Sequence, residues 1–195
     1  MKDPLEPQDD AATPLAEEEK DDLIPTWITL RSELNEAEQA NIVQGSEWAL
    51  ARRRNVLDER FLCRLHQRMF GQVWRWAGGF RHSARNIGVN AYRIPSELRQ
   101  LVDDCRYWID HESYEPDEIA VRFHHRLVQI HPFPNGNGRH ARLATDLLLI
   151  AINRPRFTWG QINLVDVSAT RQRYIDALRA ADRHDYGPLH NFVRS

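Results

Sequence analysis

The sequence predicts an all-α fold, an orthogonal bundle of helices with one small β-hairpin. Three observations carry that expectation. Apolar residues recur at helical spacing in one stretch after another. Proline, serine or a capping pair stands at the start of several of those stretches. The one alternating apolar pattern is short, Ile87 and Val89 around Gly88.

Composition fits such a bundle. The chain has 195 residues, 42% of them hydrophobic and 28% charged, enough to bury a core without metals or disulfides. Cys63 and Cys105 stand singly in apolar stretches and read as free thiols of a reducing cytosol. The formal net charge of −2 gives no overall pull toward nucleic acid or anionic lipid. The N-terminus has neither a basic start nor an apolar core, and the longest apolar run, Leu147 to Ile152, is too short to span a bilayer. A cytoplasmic protein without membrane or direct nucleic-acid contact is expected.

Three segments follow along the chain. Residues 1–22 are acidic and poor in large apolar groups, so a disordered tail is expected. Residues 23–57 read as an N-terminal helical segment. Pro25 opens a first helix with Trp27, Leu30 and Leu34 on one face. Asn35 and Glu38 form a capping box for a second, through Ile42, Trp48 and Ala49. Arg52, Arg53 and Arg54 close it, where the helix dipole favours cations.

Residues 58–195 form the main domain. Asp58 to Val73 carries Phe61, Leu62, Leu65, Met69 and Phe70 at helical spacing, and Gly78–Gly79 ends it. Phe80 to Ile94 reads as the hairpin. Ser96 caps the helix of Leu98, Leu101, Val102 and Cys105. Pro116 opens the helix of Phe123, Leu127 and Ile130. Arg139 to Ile152 and Ala169 to Ala181 are the last two helices, and Pro188 and Phe192 pack beyond them.

Between two of these apolar helices lies His131-Pro-Phe-Pro-Asn-Gly-Asn-Gly-Arg-His-Ala-Arg142. Gly136 and Gly138 permit positive φ and close approach of a ligand. Backbone N–H groups at the following helix start make an anion site. Arg139 and Arg142, three residues apart, project near it and suit a polyphosphate. His131 is a candidate base, imidazole being the side chain whose intrinsic pKa lies near neutrality. A plain glycine-rich turn between core helices is the alternative. His124 and His125 are adjacent on a helix and lack zinc-like spacing, so they read as core or surface residues. His140 reads as a surface residue or a phosphate contact.

The segment resembles the Fic motif, His-x-Phe-x-Asp/Glu-Gly-Asn-Gly-Arg-x-x-Arg, at His131, Phe133, Gly136, Asn137, Gly138, Arg139 and Arg142. Leu65-His66 to Val73, Trp76-Ala77-Gly78, Arg81, Tyr174, Ala177-Leu178, Ala181-Asp182, Asp185 and Pro188-Leu189 extend the resemblance over about Asp58 to Phe192. Together with Ser32 to Ile42, the pattern is most similar to the Fic subgroup called mobile mystery protein B. That subgroup is associated with a helix-turn-helix partner protein.

The resemblance implies a protein adenylyltransferase using ATP with Mg²⁺ or Mn²⁺. His131 would accept the proton of a Ser, Thr or Tyr hydroxyl attacking the α-phosphorus, and Phe133 would anchor the loop. Gly136, Asn137 and Gly138 would cradle phosphates, and Arg139 and Arg142 would hold the β- and γ-phosphates. A flap at Arg85, Ile87, Gly88 and Val89 would bind the target by strand addition. Asn135 stands where the family places its acidic Mg²⁺ ligand, so metal binding would be weak and lean on the phosphates. Ser32 to Glu36 resembles an inhibitory helix in which Glu36 pairs with Arg142, although Ala37 departs from the pattern. Two other outcomes stay open: a weak or inactive fold acting as a partner-binding protein in a toxin–antitoxin-like pair, or altered phosphate-transfer or AMP-removing chemistry.

Overall fold

The computed structural model of the chain describes residues 17–84, 87–160 and 167–195. Among these residues eight α-helices follow in order: α1 (Glu17–Lys20), α2 (Arg31–Leu50), α3 (Glu59–Phe70), α4 (Ile94–Asp110), α5 (Pro116–Ile130), α6 (Asn137–Ala151), α7 (Val167–Ala181) and α8 (Gly187–Arg194). The predominantly helical class matches the sequence expectation. No helix among them is long and apolar enough to cross a membrane.

Local chemistry sets most of the boundaries. Asp58 caps α3 by accepting the Phe61 N–H at 3.0 Å. Prolines occupy the first turns of α4, α5 and α8, where a missing N–H costs nothing. The 20-residue α2 is one helix, not the two expected. Its capping carboxylate is Glu33, which accepts the N–H groups of Thr29 and Leu30 at 2.8 and 2.9 Å. Asn35 and Glu38 therefore lie inside the helix. Trp27 and Leu30 precede it and are exposed.

Two further expectations differ from the structure. Glu17 to Asp22, assigned to a disordered tail, is held against the body. Trp76 donates its indole N–H to the Glu19 carbonyl (3.2 Å), the Arg75 N–H reaches Asp22 (2.9 Å), and Leu23 bridges Trp74. Residues 1–16 lie outside the described ones. The hairpin has no strand pair among the described residues. The buried Arg81 guanidinium holds that segment instead, donating to the carbonyls of His131 (2.7 Å), Ser83 (2.9 Å) and Val89. A side chain that satisfies these carbonyls takes the place of a ladder.

Two apolar clusters form the interior. The larger joins α2 to α6, with Leu62, Leu65, Phe70, Trp74, Leu98 and Phe123 fully buried. The smaller packs α7 and α8 on the outer side of α5 and α6 through Tyr174, Leu189 and Phe192. α8 gives Pro188 and Phe192 an element the sequence reading did not assign. α2 and α3 meet closely at Gly45, where a Cβ would stand 2.8 Å from the Arg68 carbonyl oxygen.

Three fully buried histidines cross-link these helices. Gly78 donates its N–H to His66 Nδ1 (3.1 Å), so Nε2 carries the hydrogen and donates to the Asn135 carbonyl (3.0 Å). His140 Nε2 faces the Leu62 carbonyl at 3.0 Å, and His124 Nε2 pairs with the Tyr174 hydroxyl at 2.8 Å. Burial pushes all three pKa values down, His66 well below its usual range, His140 to about 4 and His124 to about 3.

Two outcomes are expected. Gly45→Ala gains helix propensity but drives a methyl into α3 backbone, so it destabilises by about 1–3 kcal/mol in urea unfolding. The unfolded chain protonates these histidines near pH 6.5 while the folded chain does not, so stability falls as the pH drops below about 6.5. For His140 and His124, held at about 4 and about 3, the loss at pH 5 is on the order of 2 kcal/mol each. A melting temperature constant between pH 7.5 and pH 5 would contradict this.

Candidate active site

The loop between α5 and α6 turns on two left-handed residues. His131 ends α5 with φ 53° and ψ 60°, and Gly136 starts α6 with φ 76°. A non-glycine residue in that region stores strain that the surroundings must hold. At Gly136 a side chain is also excluded, because a Cβ would stand 2.5 Å from the Phe70 ring.

Each motif residue has a definite place. Phe133 is fully buried and stacks on His66 with centroids 3.8 Å apart. Asn137 spends its side chain on closing the loop, accepting the Phe133 N–H (2.9 Å) and donating to the Phe133 carbonyl (2.8 Å). The first internal bond of α6 runs from the His140 N–H to Gly136. The N–H groups of Asn137, Gly138 and Arg139 precede it and have no acceptor within the helix. Around Gly138 a Cβ would meet nothing within 4 Å, so the helix start is open there.

His131 is buried, and its Nδ1 lies 3.3 Å from the Val128 carbonyl. That contact selects the tautomer with hydrogen on Nδ1 and the lone pair on Nε2. Ile87 to Val89 lie over this residue. A Cβ on Gly88 would stand 2.7 Å from His131 Cβ, Ile87 is exposed, and the Val89 N–H reaches the Ile130 carbonyl at 3.3 Å. Arg85 lies outside the described residues.

The two arginines sit in different surroundings. Arg139 lies over the Phe70 ring at 4.9 Å and pairs through Nη1 with Glu38 Oε2 at 2.6 Å. The other Glu38 oxygen accepts the Trp74 indole N–H at 2.8 Å. Arg142 lies over the rings of Tyr174 (4.4 Å) and Trp159 (5.9 Å), and its buried Nε has no hydrogen-bond partner. Asp146 holds Trp159 by accepting its indole N–H at 3.0 Å. The expected Glu36–Arg142 pair is not formed. Glu36 is exposed, and the carboxylate of α2 that reaches the motif is Glu38, which reaches Arg139. A helix turns about 100° per residue, so Glu36 and Glu38 cannot both face the core.

His140, expected at the surface or on phosphate, is fully buried behind Phe133. The sequence suggests only a capping role for Glu38 and none for Trp74 or Arg81. A signal existed for Glu38: Leu34, Glu38, Asn41, Gly45 and Ala49 are all buried and share one helical stripe.

Asn135 is a poor ligand for a divalent cation. Its Oδ1 accepts the Gly136 N–H at 2.5 Å, and its amide brings no charge to a hard cation. Among the described residues no group of three or more His, Cys, Asp or Glu could hold a metal ion.

The Fic/DOC family pattern matches residues 56–149. The chain is similar to the Drosophila virilis protein named protein adenylyltransferase Fic, 31% identical over 133 residues, which are 66% of this chain and 26% of that protein. It spans about a quarter of the length of the curated relatives it matches. Among solved structures, Caenorhabditis elegans Fic-1 (E274G) is 26% identical, with TM-score 0.61 over 90% of this chain and 51% of that one. Bartonella tribocorum BepC with bound AMPPNP shares the fold at TM-score 0.68 and 18% identity, covering 92% and 97% of the two chains. Over residues 56–149 the chain is therefore similar to the Fic/DOC family.

Proposed function

We propose that this chain transfers AMP from ATP to a side-chain hydroxyl of another protein. The observation that carries the reading is the pairing of His131 with the start of α6. A proton acceptor with its lone pair on Nε2 ends one helix, and oriented N–H groups with Arg139 begin the next, across a loop of five residues, 132–136. The adenylyltransferase name of the Drosophila relative supports the same reading.

In this reaction the hydroxyl oxygen attacks the α-phosphorus and its proton passes to His131 Nε2. The bond from the α-phosphorus to the bridging oxygen breaks, and pyrophosphate leaves with that electron pair. The α6 N–H groups and Arg139 hold the phosphates, and Arg142 completes the cationic side. Catalysis is chiefly positioning and charge stabilisation. Ile87 to Val89, lying over His131, place the target segment. The residues present do not fit a protein-held Mg²⁺ or Mn²⁺, so no step is assigned to one. A divalent cation would arrive as the counter-ion of the nucleotide.

A second reading is favoured by Asn135 alone: a domain that binds nucleotide and a partner protein but transfers slowly. The Ser32 to Ile42 pattern supports the mobile mystery protein B subgroup, and with it a helix-turn-helix partner. The free thiols Cys63 and Cys105 fit a cytoplasmic location.

The test is incubation with a bacterial lysate and ATP labelled at either the α- or the γ-phosphate. Label from the α-phosphate is expected on protein, and label from the γ-phosphate is not. His131→Ala should lower the rate by about 10²–10⁴-fold, the range for loss of a general base. Glu36→Gly should match the wild type, because Glu36 is exposed and away from Arg142. Transfer of γ-label would replace the reading by kinase chemistry. ATP binding with no transfer would favour the second reading.

A further inference from the structure

α2 brings a buried carboxylate into contact with the phosphate-facing arginine. We infer that Glu38 is a positioning residue for nucleotide binding: it fixes the direction of the Arg139 guanidinium, and Trp74 in turn fixes Glu38. This rests on the reading of Arg139 as a phosphate contact.

The geometry is that of a chain of supports running outward from the core. Trp74 is 1% exposed and cannot move without opening the larger cluster. Its indole N–H holds Glu38 Oε1, and Glu38 Oε2 holds Arg139 Nη1. The carboxylate side chain is 9% exposed, whereas that of Arg139 is 40% exposed, so one end of the pair is fixed and the other faces solvent beside the open helix start. The Phe70 ring fixes the plane of the guanidinium from below, and the same ring lies under Gly136. An unsupported arginine at a helix start samples many rotamers and loses that freedom when it binds. Here the loss is met during folding.

Glu38 does not compete with phosphate for the same edge. A guanidinium has five N–H donors, and Glu38 takes one of them through Nη1. The carboxylate is pinned by Trp74 and does not swing toward the loop. It also withdraws part of the charge of Arg139, and what remains is a directed donor set at a fixed place. The expectation is therefore tighter, not weaker, grip on a nucleotide that reaches Arg139. The effect should depend on the β- and γ-phosphates.

The experiment is calorimetric titration of ATP and AMP into wild type, Glu38→Gln, Trp74→Phe, Arg139→Gln and the double variant Glu38→Gln/Arg139→Gln. Far-ultraviolet circular dichroism and thermal melts accompany each. Glu38→Gln keeps size and the acceptor for Trp74, so it should fold. It should weaken ATP about tenfold and AMP less than about twofold, the scale of one charge-assisted hydrogen bond. Trp74→Phe, which removes the N–H and keeps a ring, should shift ATP in the same direction. The double variant should bind ATP no more weakly than Arg139→Gln alone, because Glu38 acts through Arg139.

Equal weakening of ATP and AMP together with a lower melting temperature would reduce Glu38 to a structural residue. Tighter ATP binding in Glu38→Gln would make it a rival of the phosphates and overturn the inference. If ATP binds wild type but Glu38→Gln changes nothing, the inference fails and the proposed function stands. If wild type binds no ATP, both fall.

Discussion

The site depends on the bond from His66 to the Asn135 carbonyl. Residues 131 to 136 must reverse the chain between two core helices with a histidine and a glycine both in left-handed geometry. Left alone, such a loop would relax, since the histidine pays for that conformation. His66 prevents this by tying the loop at Asn135 to the turn at Gly78, while its ring stacks on Phe133. Because Gly78 donates to Nδ1, only the neutral tautomer with hydrogen on Nε2 satisfies both bonds. The low pKa imposed by burial is thus part of how the loop is held. A protonated ring would set two N–H donors against one donor and one acceptor.

Arg81 extends the same logic to the segment lying over His131. It gathers carbonyls from Ser83 and Val89 of the covering segment together with those of Ile130 and His131 at the end of α5. A cation is stable in a buried place when carbonyl oxygens accept its N–H donors. The consequence is mechanical. The covering segment and the candidate base share one guanidinium, so displacement of one is felt by the other.

Much of this was legible in the sequence, and the failures have physical causes. Helices α3, α5 and α6 were visible because Leu62, Leu65, Met69, Phe123, Leu127 and Leu147 repeat at helical spacing. The glycines and the arginine of the loop pointed to an anion site without any fold in hand. What was missed involves polar groups whose partners are distant in sequence. Glu38 reads as a capping residue when its neighbours are Asn35 and Glu36, and becomes a buried ligand of Arg139 only once α6 is beside it, 101 residues on. Ile87 and Val89 alternate like a strand, but the backbone acceptors there are claimed by Arg81. The acidic Glu17 to Asp22 looked too polar to order. Its backbone carbonyls, not its side chains, supply most of the contacts to Arg75 and Trp76, and composition does not record them.

The contrast between the two motif arginines bears on how charge is managed around Asn135. An acid beside the phosphates would need a metal to offset repulsion, and a metal would then help to anchor the nucleotide. Here the nearby carboxylate is Glu38, placed behind Arg139 and away from the loop, and Asn135 instead closes its amide oxygen onto the Gly136 N–H. The phosphates would meet helix N–H groups and two guanidiniums with no intervening negative side chain from the loop. Arg142, set among Tyr174 and Trp159 with its Nε unpartnered, contributes charge from a partly desolvated position where it is screened less by water. A site of this kind would trade the anchoring a metal gives for direct cationic contact. That exchange is coherent only if both arginines are held firmly, which is what Glu38 with Phe70, and Tyr174 with Trp159, provide.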